Sequence, residues 1–187
     1  MSEKEPLFWI IDEEWSDYEL EKKIIYKNFP KAIIKHSNYD YKDDLRKFGK
    51  KADAIIAQVY TEIPNSTIDY LESCKGIAIF GGGYDKVDIL EARKKEIPVT
   101  NVKNYCKEDI AEYVLNSILF SLKPLNTFFN QIKSGNWGYQ ALDELPLRIN
   151  NQTLLIIGFG RIGSYVAEKA LRLGMKVIAF DPKLKPD

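Results

Sequence analysis

The chain has 187 residues, and its 27 Lys plus Arg balance 27 Asp plus Glu to a formal charge of zero. That balance gives no footing to a nucleic-acid binder or a polybasic membrane anchor. Apolar residues at 45% and charged residues at 29% are ordinary for a folded chain and argue against disorder; the length suits one domain, or one complete domain with part of another.

The opening MSEKEPLFWIID joins an acidic flank to a short apolar run. It reads as neither a signal peptide nor a transmembrane helix, and no later apolar stretch is long enough to span a bilayer. Cys74 and Cys106 are the only cysteines and no CxxC occurs. A disulfide framework and a cysteine zinc site are therefore unsupported, no metal is predicted, and a reducing cytoplasm is the expected setting. The one histidine is His36.

In chain order, residues 6–12 read as a buried strand. Residues 13–29 carry Trp15, Tyr18, Ile25 and Phe29 at roughly helical spacing. Residues 31–36 are a second strand, and 41–50 a short helix with Gly49 as its expected C-cap. Residues 52–58 are a third strand. Residues 63–73 hold a helix with Asn65 or Ser66 as N-cap. Residues 75–80 form a fourth strand that runs into three glycines at 81–83. A helix over 87–96 and a fifth strand over 97–102 complete a βα alternation, the pattern of a parallel sheet covered on both faces.

Near residue 105 the pattern changes. Residues 108–134 read as one helical stretch with an apolar stripe at Ala111, Val114, Leu115, Ile118, Leu119 and Leu122. Pro124 should kink or split it, and Gly135 should end it. A polar, irregular segment over 136–151 follows. Residues 152–157 then form a strand, 161–174 a helix and 175–180 another strand. No short-period repeat or low-complexity segment occurs.

The chemistry sits at 158–181. Gly158-Phe159-Gly160-Arg161-Ile162-Gly163 is GxGxxG, following an apolar strand and opening a helix. Asp181 ends the next strand, 18 residues after Gly163 and close to the roughly 20 of a dinucleotide fingerprint. Gly158 would make the tight turn, Gly160 would admit a pyrophosphate, and Gly163 would let the helix pack on the strand. The N–H groups of Arg161 and Ile162 would face phosphates at the positive end of the helix dipole. Asp181 would accept from the adenosine ribose hydroxyls and repel a 2′-phosphate, which favours NAD over NADP. S-adenosylmethionine is a distant competitor, because Leu155-Ile156-Ile157 holds no acid before the first glycine. Asp12-Glu13-Glu14 suggests a phosphoacceptor receiver pocket, but the third strand ends Ala57-Gln58 without the required aspartate. Those acids are instead expected to cap a helix.

Together these segments resemble the D-isomer-specific 2-hydroxyacid dehydrogenase family, over roughly Lys75 to Pro182. IFGGGYDKVDILEARKKEIPVTNV is similar to the family's glycine-rich turn, D-x-x-D helix and V-T-N strand. EDIAEYVLNSIL resembles the helix with the family's Ala-Glu pair, here Ala111-Glu112. SGNW matches the Gly-x-Trp loop, and residues 153–182 match the cofactor fingerprint. The resemblance implies an α/β protein: a flavodoxin-like substrate domain over 1–104, then the first βαβ unit of a Rossmann NAD-binding domain within 105–187. It implies that Gly82 and Gly83 hold the substrate carboxylate through their backbone amides. It also implies hydride transfer between NAD(H) and a small 2-hydroxy or 2-oxo acid, and a homodimer through helix 108–134, with Phe128, Phe129 and Trp137 either on that surface or in the core. The family's catalytic arginine, glutamate and histidine lie beyond the ribose-binding acid, and no residue here matches them. His36 reads as structural. The chain is therefore expected to be an N-terminal part, inactive by itself. The alternative is a non-catalytic NAD-binding or interaction protein, corepressor-like or a remnant.

Overall fold

The computed structural model describes residues 5–142 and 145–184. The first four residues of the opening, two residues of the 136–151 segment and the end of the 181–187 tail lie outside the described residues. The chain divides into two compact units, Met1–Tyr105 and Cys106–Asp187.

In the first unit the elements run β1 (Leu7–Ile11), α1 (Glu19–Asn28), β2 (Ile33–Ser37), α2 (Lys42–Phe48), β3 (Ala54–Gln58), α3 (Asn65–Tyr70), β4 (Ile77–Phe80), α4 (Ile89–Lys94) and β5 (Val99–Asn101). All five strands are parallel, in the order β2-β1-β3-β4-β5. That is the flavodoxin-like order, whose switch point lies between β1 and β3. Register puts Trp9, Ile55, Ile77 and Val99 side by side, and Ile11, Ala57 and Ile79 in the next row. This face is the core of the unit, and Ile63, Ile68 and Leu71 pack onto it. Trp9 is wholly buried, its ring edge-on to Tyr41 and Phe48, and its Nε1 donates to Ser37 Oγ at 2.9 Å. Burying the indole with its N–H satisfied avoids the cost of an orphaned donor.

Several expectations need correction. The second sheet face is only partly covered: Phe8, Ile56 and Ala78 are half-buried, although Phe8 meets the Phe29 ring at 5.1 Å. The first helix starts at Glu19 rather than near 13, because buried Asp12 turns the chain, accepting from Glu14 N–H at 2.9 Å and Tyr18 Oη at 3.1 Å. Asp12 thus fixes a loop and caps no helix. Gly49 is the C-cap of α2 as expected, but at φ −54° it is right-handed and continues into a short 3-10 turn. Pro64, not Asn65 or Ser66, takes the N-cap position of α3, which ends at Tyr70. α4 is shorter than 87–96 because Asp88 caps it, accepting from Glu91 N–H at 3.0 Å, and Glu96 turns to φ 59°.

The second unit runs α5 (Lys107–Leu122), α6 (Leu125–Lys133), β6 (Thr153–Ile157), α7 (Arg161–Arg172) and β7 (Lys176–Phe180). Pro124 splits the 108–134 stretch as expected. Lys123 before it is extended (φ −126°, ψ 92°), the conformation that a following proline favours. Gly135 ends α6 at φ 86°. α5 packs against α7; Ala111 and Ala167, both buried, let the two backbones approach.

β6 and β7 form a parallel two-stranded sheet with one covered face. Leu154, Ile156 and Val177 pack with Ala111, Val166 and Ala167. The opposite face carries Leu155, Ile157, Ile178 and Phe180, which are 58%, 79%, 57% and 62% exposed. The sequence expectation that both strands are buried on both faces therefore holds for one face only. Covering each of these side chains would contribute about 1.5–3 kcal/mol, and two strands with both outer edges unpaired are marginal alone. In the purified chain, amides of 153–157 and 176–180 should exchange with deuterium well before those of 54–58 and 77–80. Equally slow exchange of both sheets in a monodisperse monomer would contradict this.

Candidate cofactor and substrate sites

The turn from β6 into α7 is built by its glycines. Gly158 has φ 94°, a conformation that side chains resist, and its N–H donates to Phe180 O at 2.7 Å, tying the turn to the end of β7. A Cβ on Gly163 would lie 2.1 Å from Gly158 O and 3.1 Å from Ile156 Cγ2, so only glycine lets α7 sit this close to β6. A Cβ on Gly160 would meet nothing within 4 Å. Its space is open, as a group approaching the backbone requires. Phe159 is half-buried against the α5–α7 core, whereas Arg161 and Ile162 are exposed in the first turn of α7. The N–H groups of Gly160 and Ile162 make no hydrogen bond among the described residues. They are ordinary orphans of a helix start, aimed where an anion is favoured.

Asp181 closes this turn. Its Oδ2 accepts from Phe159 N–H and its Oδ1 from Lys183 N–H, both at 2.8 Å. The Lys183 and then the Phe159 amide hold its carboxyl below the usual aspartate range. The group is thus a carboxylate at neutral pH, fixed beside the glycine turn. The structure brings together Gly158, Phe159, Gly160, Arg161, Ile162, Gly163 and Asp181.

Gly82 and Gly83 follow β4 at the carboxyl edge of the first sheet. Gly81 before them needs glycine most: its φ is 144°, and a Cβ would lie 2.5 Å from Val59 Cγ1. Gly81 O accepts from Val102 N–H at 2.9 Å, and Gly82 O from Asn101 Nδ2 at 2.7 Å. The carbonyls of this turn are therefore engaged, while the N–H groups of Gly82 and Gly83 have no partner among the described residues.

Next to this turn is a cavity of about 430 Å³, lined by Trp15, Gln58, Tyr60, Phe80, Gly81 and Tyr105 among others. It lies across the β1/β3 switch point, outside the carboxyl ends of the strands, where ligands of open parallel sheets bind. Glu14 and Glu21 add carboxylates. The adjacent loop is negative throughout. The Tyr18 hydroxyl is pushed up to about 12 by burial and then by its hydrogen bond to Asp12, and Tyr39 is pushed up to about 12 by burial and then by the charges of Glu14, Asp12 and Glu13. Reading the sequence for motifs misses Gln58, Tyr60 and Tyr105. The signal available was a lone amide ending an otherwise apolar strand.

His36 stands apart, exposed on the outer strand β2 with its ring 4.6 Å from that of Tyr18. Cys74 and Cys106 are unpaired and half-buried, and burial pushes the Cys74 thiol up. Among the described residues no His, Cys, Asp or Glu cluster could hold a metal, and no helix is long and apolar enough to cross a membrane.

Residues 16–181 match the family model for the catalytic domain of D-isomer specific 2-hydroxyacid dehydrogenases. A hydroxypyruvate reductase of Thermotoga maritima is 34% identical over 146 residues, covering 78% of this chain and 47% of that protein. A glyoxylate reductase of Thermococcus litoralis is 30% identical over 143 residues, covering 74% and 43%. Among solved structures, a D-lactate dehydrogenase from Aquifex aeolicus complexed with NAD and lactic acid superposes with a TM-score of 0.75 at 27% identity, covering 96% of this chain and 52% of that one. The chain thus spans about half the length of the relatives it matches. With its family model matched over most of its length and its strand order and glycine turns in place, the chain belongs to the D-isomer specific 2-hydroxyacid dehydrogenase family.

Proposed function

We propose that these residues are the cofactor turn and the carboxylate cradle of an NAD(H)-dependent oxidoreductase acting on a 2-hydroxy or 2-oxo acid. The observation that carries the reading is the β6–α7 turn: a helix start drawn onto the strand at Gly163, open space at Gly160, and an ionised carboxylate beside both. These features fit a dinucleotide. The Gly160 and Ile162 amides would take the pyrophosphate, Arg161 would add its backbone N–H at the same helix end, and Asp181 would take the adenosine ribose hydroxyls.

When bound, the nicotinamide supplies hydride exchange at C2 of the acid. What this chain's residues do is bind and orient. Gly82 and Gly83 offer two backbone donors to the substrate carboxylate, a pairing that costs no reorganisation because both N–H groups already lack partners. Polarising the oxo group and moving its proton need a cation and an acid–base, and none of the 187 residues matches the family's arginine, glutamate or histidine. A non-catalytic dinucleotide-binding protein is the second reading, and it rests on the same cofactor turn.

The α5–α6 region is proposed as a homodimer surface. Phe120, Leu125, Phe129 and Ile132 are exposed there and Trp137 in the loop that follows, a density of apolar side chains that marks interaction sites. Phe129→Asp should lower the sedimenting mass from dimer to monomer; a wild-type chain that is monomeric at high micromolar concentration would sink the dimer.

Titration should show tighter binding of NAD than of NADP; the Asp181 carboxyl, held below the ordinary value of about 3.9, stays ionised from pH 8 to pH 5, so the preference should narrow only as the 2′-phosphate itself takes up a proton at about pH 6. Asp181→Ala should narrow that preference, while equal affinity of the wild-type chain for both cofactors would refute the assignment. The purified 187-residue chain should give no measurable NADH oxidation with pyruvate, glyoxylate or hydroxypyruvate. Robust turnover that survives His36→Ala would show that the acid–base has been misplaced.

A further inference from the structure

Gln58 ends β3 and is a buried residue, 6% exposed. Its Oε1 accepts from the adjacent Val59 N–H at 2.8 Å, which fixes the orientation of the amide. Its Nε2 has no partner among the described residues. No fully enclosed side-chain nitrogen or oxygen lacks a partner among those residues, so the unpaired NH₂ is accessible, and Gln58 is one of the residues that line the cavity. A substrate oxygen there would supply the acceptor that the described residues do not.

The walls say which ligand. Trp15, Tyr60, Phe80 and Tyr105 offer aromatic surface, and among the described lining residues there is no lysine or arginine. The charged groups among those described lining residues are the carboxylates of Glu14 and Glu21. A second anionic group on the substrate would meet like charge with no cation to offset it. An uncharged side chain would bury apolar surface against the rings and leave one substrate oxygen for Gln58.

We infer that Gln58 is a specificity-determining substrate contact, and that this cavity takes 2-oxo or 2-hydroxy acids with an uncharged, bulky side chain and rejects those with a second carboxylate or a phosphate. This rests on the reading of Gly82 and Gly83 as the carboxylate cradle.

The test is a ¹H–¹⁵N titration of the 187-residue chain with two acids of similar size, 4-methyl-2-oxopentanoate and 2-oxoglutarate. The first should shift the Gly82 and Gly83 amides together with the Gln58 side-chain NH₂ pair. The second should bind about tenfold more weakly, the equivalent of about 1.4 kcal/mol. Gln58→Leu should weaken the first acid by about tenfold while leaving amides remote from the cavity unshifted, which shows the fold intact. Replacing Glu14 and Glu21 together by Gln should recover most of the binding of 2-oxoglutarate. If the Gly82 and Gly83 amides respond but the Gln58 pair does not, or if both acids bind equally, this inference is wrong and the carboxylate cradle stands. If neither acid moves Gly82 or Gly83, the cradle itself is wrong and the inference falls with it.

Discussion

The second unit depends on one missing methyl group. With Gly158 O only 2.1 Å from where a Gly163 Cβ would sit, any other residue would push α7 away from β6. That displacement would undo three things at once. The Ile156–Val166–Ala167 packing would open, the first-turn amides of α7 would swing away from the β6 end, and Asp181 would lose its grip on Phe159 N–H. Close packing and the anion-ready helix start are therefore the same structural fact, not two properties that happen to coincide.

The first unit solves a related problem differently. Five parallel strands end at one edge, and the helices after β3 and β4 have only six residues each, too short to offer much of a dipole. Polarity there comes from individual groups. The carbonyls of Gly81 and Gly82 are consumed by Val102 N–H and Asn101, while the N–H groups of Gly82 and Gly83 have no partner among the described residues. Gln58 repeats this arrangement in a side chain, its acceptor consumed and its donor left over. Glu14 and Glu21 bring carboxylates to the cavity, and in the loop after β1 the Tyr18 and Tyr39 hydroxyls are pushed up to about 12. Donors on one wall and carboxylates on the other would orient an acid by its single anionic end.

How far this was legible in the sequence follows the range of each interaction. Gly158, Gly160, Gly163 and Asp181 act through local backbone geometry at fixed spacing, so the fingerprint locates them. Pro124 splitting α5 from α6 is equally local. The start of α1 was misread because apolar spacing alone does not reveal that Asp12, buried at the end of β1, commits the next residues to a loop through Glu14 N–H and Tyr18 Oη. The cavity was not legible at all. Trp15, Gln58 and Tyr105 come from three separate connections, and only the β2-β1-β3-β4-β5 order brings them to one edge.

Partial cover of both sheets has one physical origin. Parallel strands carry apolar residues on both faces because crossover helices are expected above and below. In the first unit the row Trp9–Ile55–Ile77 is sealed while Phe8, Ile56 and Ala78 stay half-exposed. In the second, Ile156 is sealed while Ile157 and Phe180 face outward. Each sheet thus alternates between a finished face and an unfinished one along the same strand. A sequence evolved to leave those faces wet would carry polar residues at alternate positions, as half-exposed strands do. These strands carry isoleucine, leucine and phenylalanine there, so the residues themselves call for apolar cover over both sheets.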